Sequence, residues 1–368
     1  MESEPKPDNP SPDLEACRRR IDDLDRRIVE LLNERAKVVI DVGRAKRTDG
    51  TPIYAPDREQ AVLERVARLN GGPIPAKSLQ AIYREMMSAS FALEKPLRIG
   101  HLGPEGSFSH LAAVRKFGAS VEYLALADIQ AVFEEVARGH CDLGVVPIEN
   151  SLYGGVIDTM DSFIDAQNMH IAAEVLLAVH HNLLAASPLE DIRVIASKPE
   201  ALAQCRRWLS TQLSHVQQLP VASTAKAAEM AAAEQNLAAI GSSLAAELYG
   251  LKILFENIED NPNNTTRFFV IGRQPTPRTG QDKTSLIFTT AHQPGTLAEV
   301  LTVFANHGIN LTNIDTRPSK RRNWEYYFFV DADGHVEDPA LSNALKAVRE
   351  HCGELLILGS YPRANETV

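Results

Sequence analysis

The run Asn263-Asn264-Thr265-Thr266-Arg267-Phe268-Phe269-Val270-Ile271-Gly272 places hydroxyls and a guanidinium at the mouth of an apolar strand that has no structural need of them. Side chains of this kind hold an anionic ligand through charge-assisted hydrogen bonds. Two further segments share the character: Gly103-Pro104-Glu105-Gly106-Ser107-Phe108-Ser109-His110, which follows the strand-like Leu97–Leu102, and Val145-Val146-Pro147-Ile148-Glu149-Asn150-Ser151. Gly103 and Gly106 allow a tight turn. Ser107 and Ser109 open a helix whose free amides favour an anion, although helix capping alone accounts for such a serine equally well. Ser223-Thr224-Ala225 opens another helix at Lys226 in the same way. These polar loops, each beside an apolar strand, are expected to converge on one cleft.

A second set of candidates lies near the start of the chain. From Asp13 to about Arg47 there is no proline, the sole glycine is Gly43, and Leu14, Ile21, Leu24, Ile28, Leu31, Val38 and Val42 recur at helical spacing. Arg35 stands within that stripe, and Arg18 lies three residues before Ile21. A buried arginine needs an anion, either a structural carboxylate such as Glu34 or Asp25 or a ligand. Lys46 shares the face, and Arg58 with Glu59 begins a second helix. At 1.5 Å per residue Arg18 and Arg35 are about 25 Å apart, too far to grip one small molecule. A helix of about 35 residues, roughly 50 Å long, is also too long for one three-helix module to cover. An antiparallel copy of the same helix answers both points, covering the stripe and bringing its own Arg18 towards Arg35, Lys46 and Arg58.

The elements that must position these groups divide the chain. Residues 1–12 are proline-rich with almost no apolar side chains, and read as a disordered tail. Helical periodicity over 13–95 implies an all-α domain. After Pro96, short β-rich runs alternate with helices as far as Gly272, implying an α/β domain over 96–272. Residues 273–283 read as a linker, and the order βαββαβ over 284–361 gives a ferredoxin-like module. A length of 368 residues suits such a multidomain chain. The formal net charge of −10 argues against a broad nucleic-acid footprint. Cys17, Cys141, Cys205 and Cys352 are scattered without metal-ligand spacing, so neither a disulfide framework nor a metal or other cofactor is expected. The amino terminus lacks the apolar run of a signal peptide and no later segment is fit to span a bilayer, so no membrane partner and a cytoplasmic location are expected.

The helical segment resembles the chorismate mutase domain that is fused to prephenate dehydratase, through Arg18, Arg35, Lys46, Arg58, Glu59 and Ser90, with Arg18 implied to come from the other protomer. The implied reaction is a Claisen rearrangement of a dianion. It needs no nucleophile and no metal; cations hold both carboxylates and stabilise charge developing on the ether oxygen. Glu94 stands where many members carry Gln, and the resemblance places it facing that oxygen, to which only a protonated carboxyl can donate. Ala55 occupies a position where the family often has a carboxylate.

Residues 96–272 resemble prephenate dehydratase through Gly103–His110, Val145–Ser151, His181-Asn182-Leu183-Leu184, Ser223-Thr224-Ala225 and Ile258–Gly272. The resemblance implies two α/β lobes like those of a periplasmic binding protein, with prephenate in the cleft losing its ring carboxylate as carbon dioxide and its C4 hydroxyl as water. Thr266 matches the family's catalytic threonine, Arg267 would bind a carboxylate, and Ser107, Asn150, Ser151, Ser223, Thr224 and Phe268 would position the rest. His180 and His181 read as structural, because no carboxylate is paired with them in sequence.

Residues 284–361 resemble the ACT regulatory domain that binds phenylalanine in this family, through Gln293-Pro294-Gly295-Thr296-Leu297 and Asp315-Thr316-Arg317-Pro318. Gly295 would let the backbone approach a ligand at the helix start. Chorismate, prephenate and phenylalanine are the implied ligands, and a homodimer or higher homo-oligomer the implied assembly. Removal of residues beyond about 280 is expected to leave an active, phenylalanine-insensitive enzyme. Two alternatives remain: dehydration of arogenate, and a non-catalytic two-lobed solute-binding sensor, which would need no Thr266 hydroxyl and usually carries an export signal.

Overall fold

A computed structural model describes residues 13–49, 54–166, 168–319, 325–364 and 366–368; the tail expected over 1–12 lies outside the described residues. The first domain consists of α1 (Leu14–Asp49), α2 (Pro56–Leu69) and α3 (Ala76–Glu94). Proline at the start of α2 removes an amide that would have had no intrahelical partner. The apolar stripe of α1 is left bare: Leu14, Ile21, Leu24, Ile28, Leu31 and Val38 are 45–62% exposed. Only its carboxyl-terminal half meets α3, where Gly43 lies so close that a Cβ would sit 3.1 Å from Glu94 Cα.

The first lobe of the central domain runs through β1 (Arg98–Leu102), α4 (Phe108–Phe117), β2 (Glu122–Leu126), α5 (Ile129–Arg138), β3 (Leu143–Asn150), β4 (Gly154–Gly155), α6 (Ile157–Asp165) and β5 (His170–Ala178). The chain then builds a second lobe from β6 (Asn182–Ala185), β7 (Val194–Ser197), α7 (Pro199–Gln204), α8 (Arg206–Gln212), β8 (Gln217–Pro220), α9 (Thr224–Ala233), β9 (Leu237–Gly241), α10 (Ser243–Tyr249) and β10 (Lys252–Phe255). It returns to the first lobe as β11 (Thr265–Gly272). The sheets are ordered β2-β1-β3-β11-β5, with β4 on β3, and β10-β6-β9-β7-β8. Two crossings therefore join the lobes, and they bond to each other: Val179 N–H donates to Asn264 O and Ile258 N–H to His181 O, both at 2.8 Å. Strand β11 lies between β3 and β5, antiparallel to both. Covered on both faces, it can be apolar on both sides from Phe268 to Ile271. Phe268 and Val270 join Ile99, Phe117 and Val145 on one side, while Phe269 and Ile271 face the other.

The last domain comprises β12 (Asp282–Thr289), α11 (Thr296–Asn306), β13 (Leu311–Pro318), β14 (Tyr326–Asp333), α12 (Pro339–His351) and β15 (Leu355–Pro362), with strand order β13-β14-β12-β15. One face of its sheet packs Leu286, Phe288 and Val330 on Val300, Phe304 and Leu341 of the two helices. The other face is also apolar, and Ile287, Tyr327, Phe329, Leu358 and Tyr361 share one core with Val146, Met160, Phe163, Phe269 and Ile271 of the first lobe. At Gly359 the approach is so close that a Cβ would lie 2.5 Å from Ile171 O. This corrects the expectation of a detachable module: cutting after residue 280 would bare the core that both domains share. The intervening segment is itself anchored, Arg273 Nη1 donating to Val136 O at 2.5 Å and Thr276 Oγ1 to Ala172 O at 3.1 Å. Among the described residues no helix is long and apolar enough to cross a membrane.

Candidate functional site

In the helical domain the structure gathers four of the predicted residues into two pairs between α1 and α3. Arg35 Nη1 donates to Ser90 Oγ at 2.8 Å, and Ser90 in turn donates to Met86 O, so the hydroxyl is oriented to receive the guanidinium. One turn further along α3, Glu94 accepts from Lys46 Nζ at 3.1 Å, with the carboxylate side chain only 9% exposed. Three other predicted residues stand apart. Arg18 is exposed near the far end of α1, 3.4 Å from Glu15, and Arg58 is exposed in the first turn of α2. Glu59 turns to the central domain, accepting from Lys116 Nζ of α4 at 2.9 Å and from Tyr54 Oη at 3.2 Å. The Arg35 pair sits on one side of α3 while Ser88 and Glu85, on another, accept from Ser120 N and Ala119 N of the central domain.

In the central domain Thr266 lies opposite Asn150 across β11 and β3. Asn150 Nδ2 donates to Thr266 Oγ1 and to Asn264 Oδ1, both at 2.8 Å, while its Oδ1 accepts from Leu152 N and Tyr153 N. The amide is thereby fixed, and Thr266, whose oxygen accepts a hydrogen bond from Asn150, has its own hydroxyl hydrogen to donate elsewhere. Ser151 ties the loop after β3 to the head of β11, donating to Asn263 O at 3.2 Å and accepting from Thr265 N at 3.0 Å. Buried Asn264 donates to Gln204 Oε1 at 3.0 Å, and the same oxygen lies 2.6 Å from His181 Nε2. Because an amide oxygen only accepts, Nε2 carries the histidine proton, and Nδ1 is left buried without a partner. Burial lowers the His181 pKa. Gln204 belongs to the second lobe and Asn150 to the first, so this chain of bonds spans the hinge.

Arg267 is not part of that arrangement. The strand begins at Thr265, three residues earlier than the apolar run suggests, so Thr266 and Arg267 are alternate strand residues on opposite faces. Arg267 is buried against Glu174, Asp331 and Tyr361 instead of facing a ligand. Phe268 is likewise a core residue. Ser107 and Ser223 cap α4 and α9, accepting from His110 N and Lys226 N, and Ser107 also donates to Leu102 O. Thr224 is the buried first residue of α9. His180 does have a carboxylate: Glu259, on the other crossing, lies 2.7 Å from its Nδ1 and accepts from His181 N at 2.9 Å.

The terminal domain holds a cavity of about 430 Å³ lined by Gly295, Thr296 and Leu297 together with Thr290, Tyr326 and Phe328. Gly295 has φ 91°, open to glycine at no steric cost. Asp315, Thr316, Arg317 and Pro318 are on β13, outside this cavity. Arg317 makes a bidentate pair with Asp161 of α6, both bonds at 2.8 Å, and the Asp315 carboxylate occupies the space beside Gly155.

Three family matches divide the chain at similar places: chorismate mutase type II over residues 17–95, prephenate dehydratase over 99–276 and the ACT domain over 284–350. A bifunctional chorismate mutase/prephenate dehydratase of Stutzerimonas stutzeri is 44% identical over 358 residues, covering 95% of this chain and 98% of the relative. This chain belongs to the bifunctional chorismate mutase/prephenate dehydratase family. The solved prephenate dehydratase of Arthrobacter aurescens in complex with L-Phe aligns with 73% of the chain and 91% of its own length, at 34% identity and TM-score 0.68. A structure described as a quorum-quenching acylase aligns with 73% of the chain and 98% of its own length, at 33% identity and TM-score 0.67. In this chorismate mutase/prephenate dehydratase, sequence reasoning missed Gln204, Asn264, Glu259 and Lys116. Asn264 alone carried a signal, as the second residue of the polar run before β11.

Proposed function

We propose that this chain rearranges chorismate to prephenate in its helical domain and decarboxylates and dehydrates prephenate to phenylpyruvate at the hinge of its central domain, with phenylalanine acting on the terminal domain. The observation that carries the second activity is the bond from Asn150 Nδ2 to Thr266 Oγ1, which leaves the threonine proton free for a leaving hydroxyl. As the bond to the ring carboxylate breaks and carbon dioxide departs, that bond's electron pair enters the ring and the C4 hydroxyl leaves as water with the proton from Thr266, whose oxygen takes a proton back from solvent. A threonine is a weak acid, so aromatisation supplies most of the driving force and the site chiefly orients the groups. In the first reaction Arg35 and Lys46, already held by Ser90 and Glu94, would bind the carboxylates and the ether oxygen. Arg18 of a second copy would complete that site, packed against the bare stripe of α1 in a homodimer, and Arg58 would stand at its edge. Ser107, Ser151, Ser223 and Thr224 would shape the dehydratase cleft. The phenylalanine site would form between paired terminal domains, Gly295, Thr296 and Leu297 of one facing Asp315, Thr316, Arg317 and Pro318 of the other. The enzyme would act in the cytoplasm.

The test is separation of the activities. Thr266→Ala should lose dehydratase turnover by about a hundredfold or more while keeping mutase activity. Arg35→Ala should do the reverse on supplied prephenate. Equal loss of both activities in a folded protein would mean one shared site. Incubation with prephenate and with arogenate, followed by detection of phenylpyruvate or phenylalanine, separates the two dehydratase substrates.

A further inference from the structure

The side chain of Arg267 leaves β11 by the face opposite Thr266 and enters a buried ionic layer between the central and terminal domains. Its Nε donates to Glu174 Oε2 at 2.8 Å, Nη1 to Asp331 Oδ2 at 2.5 Å and Nη2 to Tyr361 Oη at 2.9 Å. The guanidinium carbon lies 4.8 Å from the centre of the Phe269 ring. Asp331 accepts on its other oxygen from Ser285 Oγ at 2.5 Å. Glu174 also accepts from Ala364 N at 2.8 Å and from Lys283 Nζ at 3.4 Å. Arg267 and Lys283 thus balance Glu174 and Asp331, and Glu149 stands 3.9 Å from Nη1 at the rim. Burial works against the charge on Arg267, yet Tyr361, Asp331 and Glu174 outweigh it and hold the pKa above the ordinary value. One N–H on each guanidinium nitrogen is engaged, and with its side chain 9% exposed Arg267 is turned into the domain boundary and not towards a substrate carboxylate in the cleft.

We propose that Arg267 is a positioning residue that fastens the segment carrying Thr266 to Asp331 and Tyr361, so that the terminal domain forms the back wall of the dehydratase site. The register of β11 on β3 shifts between Arg267 and Phe268, one residue from Thr266. The bulge interrupts only the ladder to β3, where Asn150 meets Thr266; on the other edge β11 pairs with β5 without a break from Thr265 to Val270, so the side-chain anchors act together with that ladder in setting the strand's direction at Thr266. Those anchors come from three strands, β5, β14 and β15. With the ladder they determine the angle at which Thr266 Oγ1 meets Asn150.

The inference rests on Thr266 being the reacting hydroxyl of the dehydratase, and the experiment separates the two ideas. Steady-state dehydratase kinetics are measured on the full chain for Thr266→Val, Arg267→Lys, Arg267→Met, Asp331→Asn, Tyr361→Phe and the pair Arg267→Met with Asp331→Leu, each checked for folding by circular dichroism. Lysine keeps the charge but cannot reach three partners, so Arg267→Lys should lower kcat about tenfold at unchanged KM for prephenate. Asp331→Asn should act alike, although it lies in the other domain. Tyr361→Phe, which removes one oxygen and little packing, should lower kcat about threefold. The apolar pair should recover turnover relative to Arg267→Met alone, because a lone Asp331 left buried is worse than no ion pair. Asp331→Asn and Tyr361→Phe with wild-type kcat would overturn the proposal. So would Arg267→Lys with KM raised about tenfold at unchanged kcat, the mark of a substrate ligand. If Thr266→Val keeps full turnover, the reading of the site itself falls, and with it the inference.

Discussion

A methyl group added at Gly118 should damage the mutase from within the central domain. Gly118 closes α4 with φ 76° and ψ −171°, a region that only glycine occupies readily. A Cβ there would lie 2.6 Å from Ser88 Cβ and 2.8 Å from Ser88 Oγ on α3, and Ser88 is fully buried. The backbone change costs about 1–3 kcal/mol and overpacking about another 1–3 kcal/mol, so Gly118→Ala should destabilise the protein by about 2–6 kcal/mol. At about 2–4 °C per kcal/mol for a cooperative unit of this size, Tm should fall by at least about 4 °C. Ser90, which receives Arg35, is two residues beyond Ser88, so mutase turnover should fall as well. Calorimetry gives the first quantity and chorismate consumption the second. Ser88→Gly in the same chain should relieve the steric share, offset by the lost bond from Ser120 N and by about 1 kcal/mol for a glycine within α3, and leave the backbone share. A Gly118→Ala protein that melts within about 1 °C of wild type and keeps full mutase turnover would refute the idea that this contact sets α3.

Three other outcomes are expected. Arg18→Ala and Arg35→Ala subunits, each weak alone, should regain mutase activity when mixed, because one intact site forms per heterodimer; verified heterodimers without recovery would rule out a site built from two chains. Glu94→Gln should raise mutase turnover severalfold at pH 8 and leave the dehydratase unchanged, since an amide donates to the ether oxygen whatever the pH; a fall in turnover would show that Glu94 serves only to hold Lys46. Burial, reinforced by His110 stacked 4.4 Å away, pushes the His101 pKa down to about 4 from 6.5. The unfolded chain then binds the proton first, so this contribution to stability is complete above pH 6.5 and is lost as pH falls towards 4, by up to about 3 kcal/mol. Denaturant midpoints at neutral and acid pH for wild type and His101→Asn measure it, and parallel curves would remove His101 from the acid response.

What was legible in the sequence was whatever depends on local pattern. The stripe on α1, the alternation of strands and helices after Pro96 and the βαββαβ order of the last domain all follow from periodicity and appear as expected. The meeting of Asn150 and Thr266 was legible in part, because polar groups at the ends of apolar strands have no packing role and the two do bond across β3 and β11. Arg267 was misread for a definite reason. A start at Phe268 leaves it in a loop facing the cleft, and a start at Thr265 turns it to the opposite face. Partners distant in the chain were not legible: Glu259 is 79 residues from His180, and Lys116 is 57 from Glu59. Nothing local marks Gln204, which matters only because the hinge brings α7 to Asn264.

The apolar layer shared by the central and terminal sheets bears on how such enzymes can be recombined. Exchanging the terminal domain with that of a relative would set foreign side chains against Met160, Phe163, Phe269 and Ile271, and a foreign backbone where Gly359 nearly touches Ile171. A chimaera joined in residues 273–283 would therefore inherit half of an interface, however well the junction itself is chosen. The inheritable block is the central and terminal domains together, since β5 and β11 of the first carry the residues that face the second. The helical domain meets the rest through bonds at Glu59, Glu85 and Ser88 and through Tyr54 and Phe91, which pack into the core around Phe117, so a graft there must carry those facing residues with it.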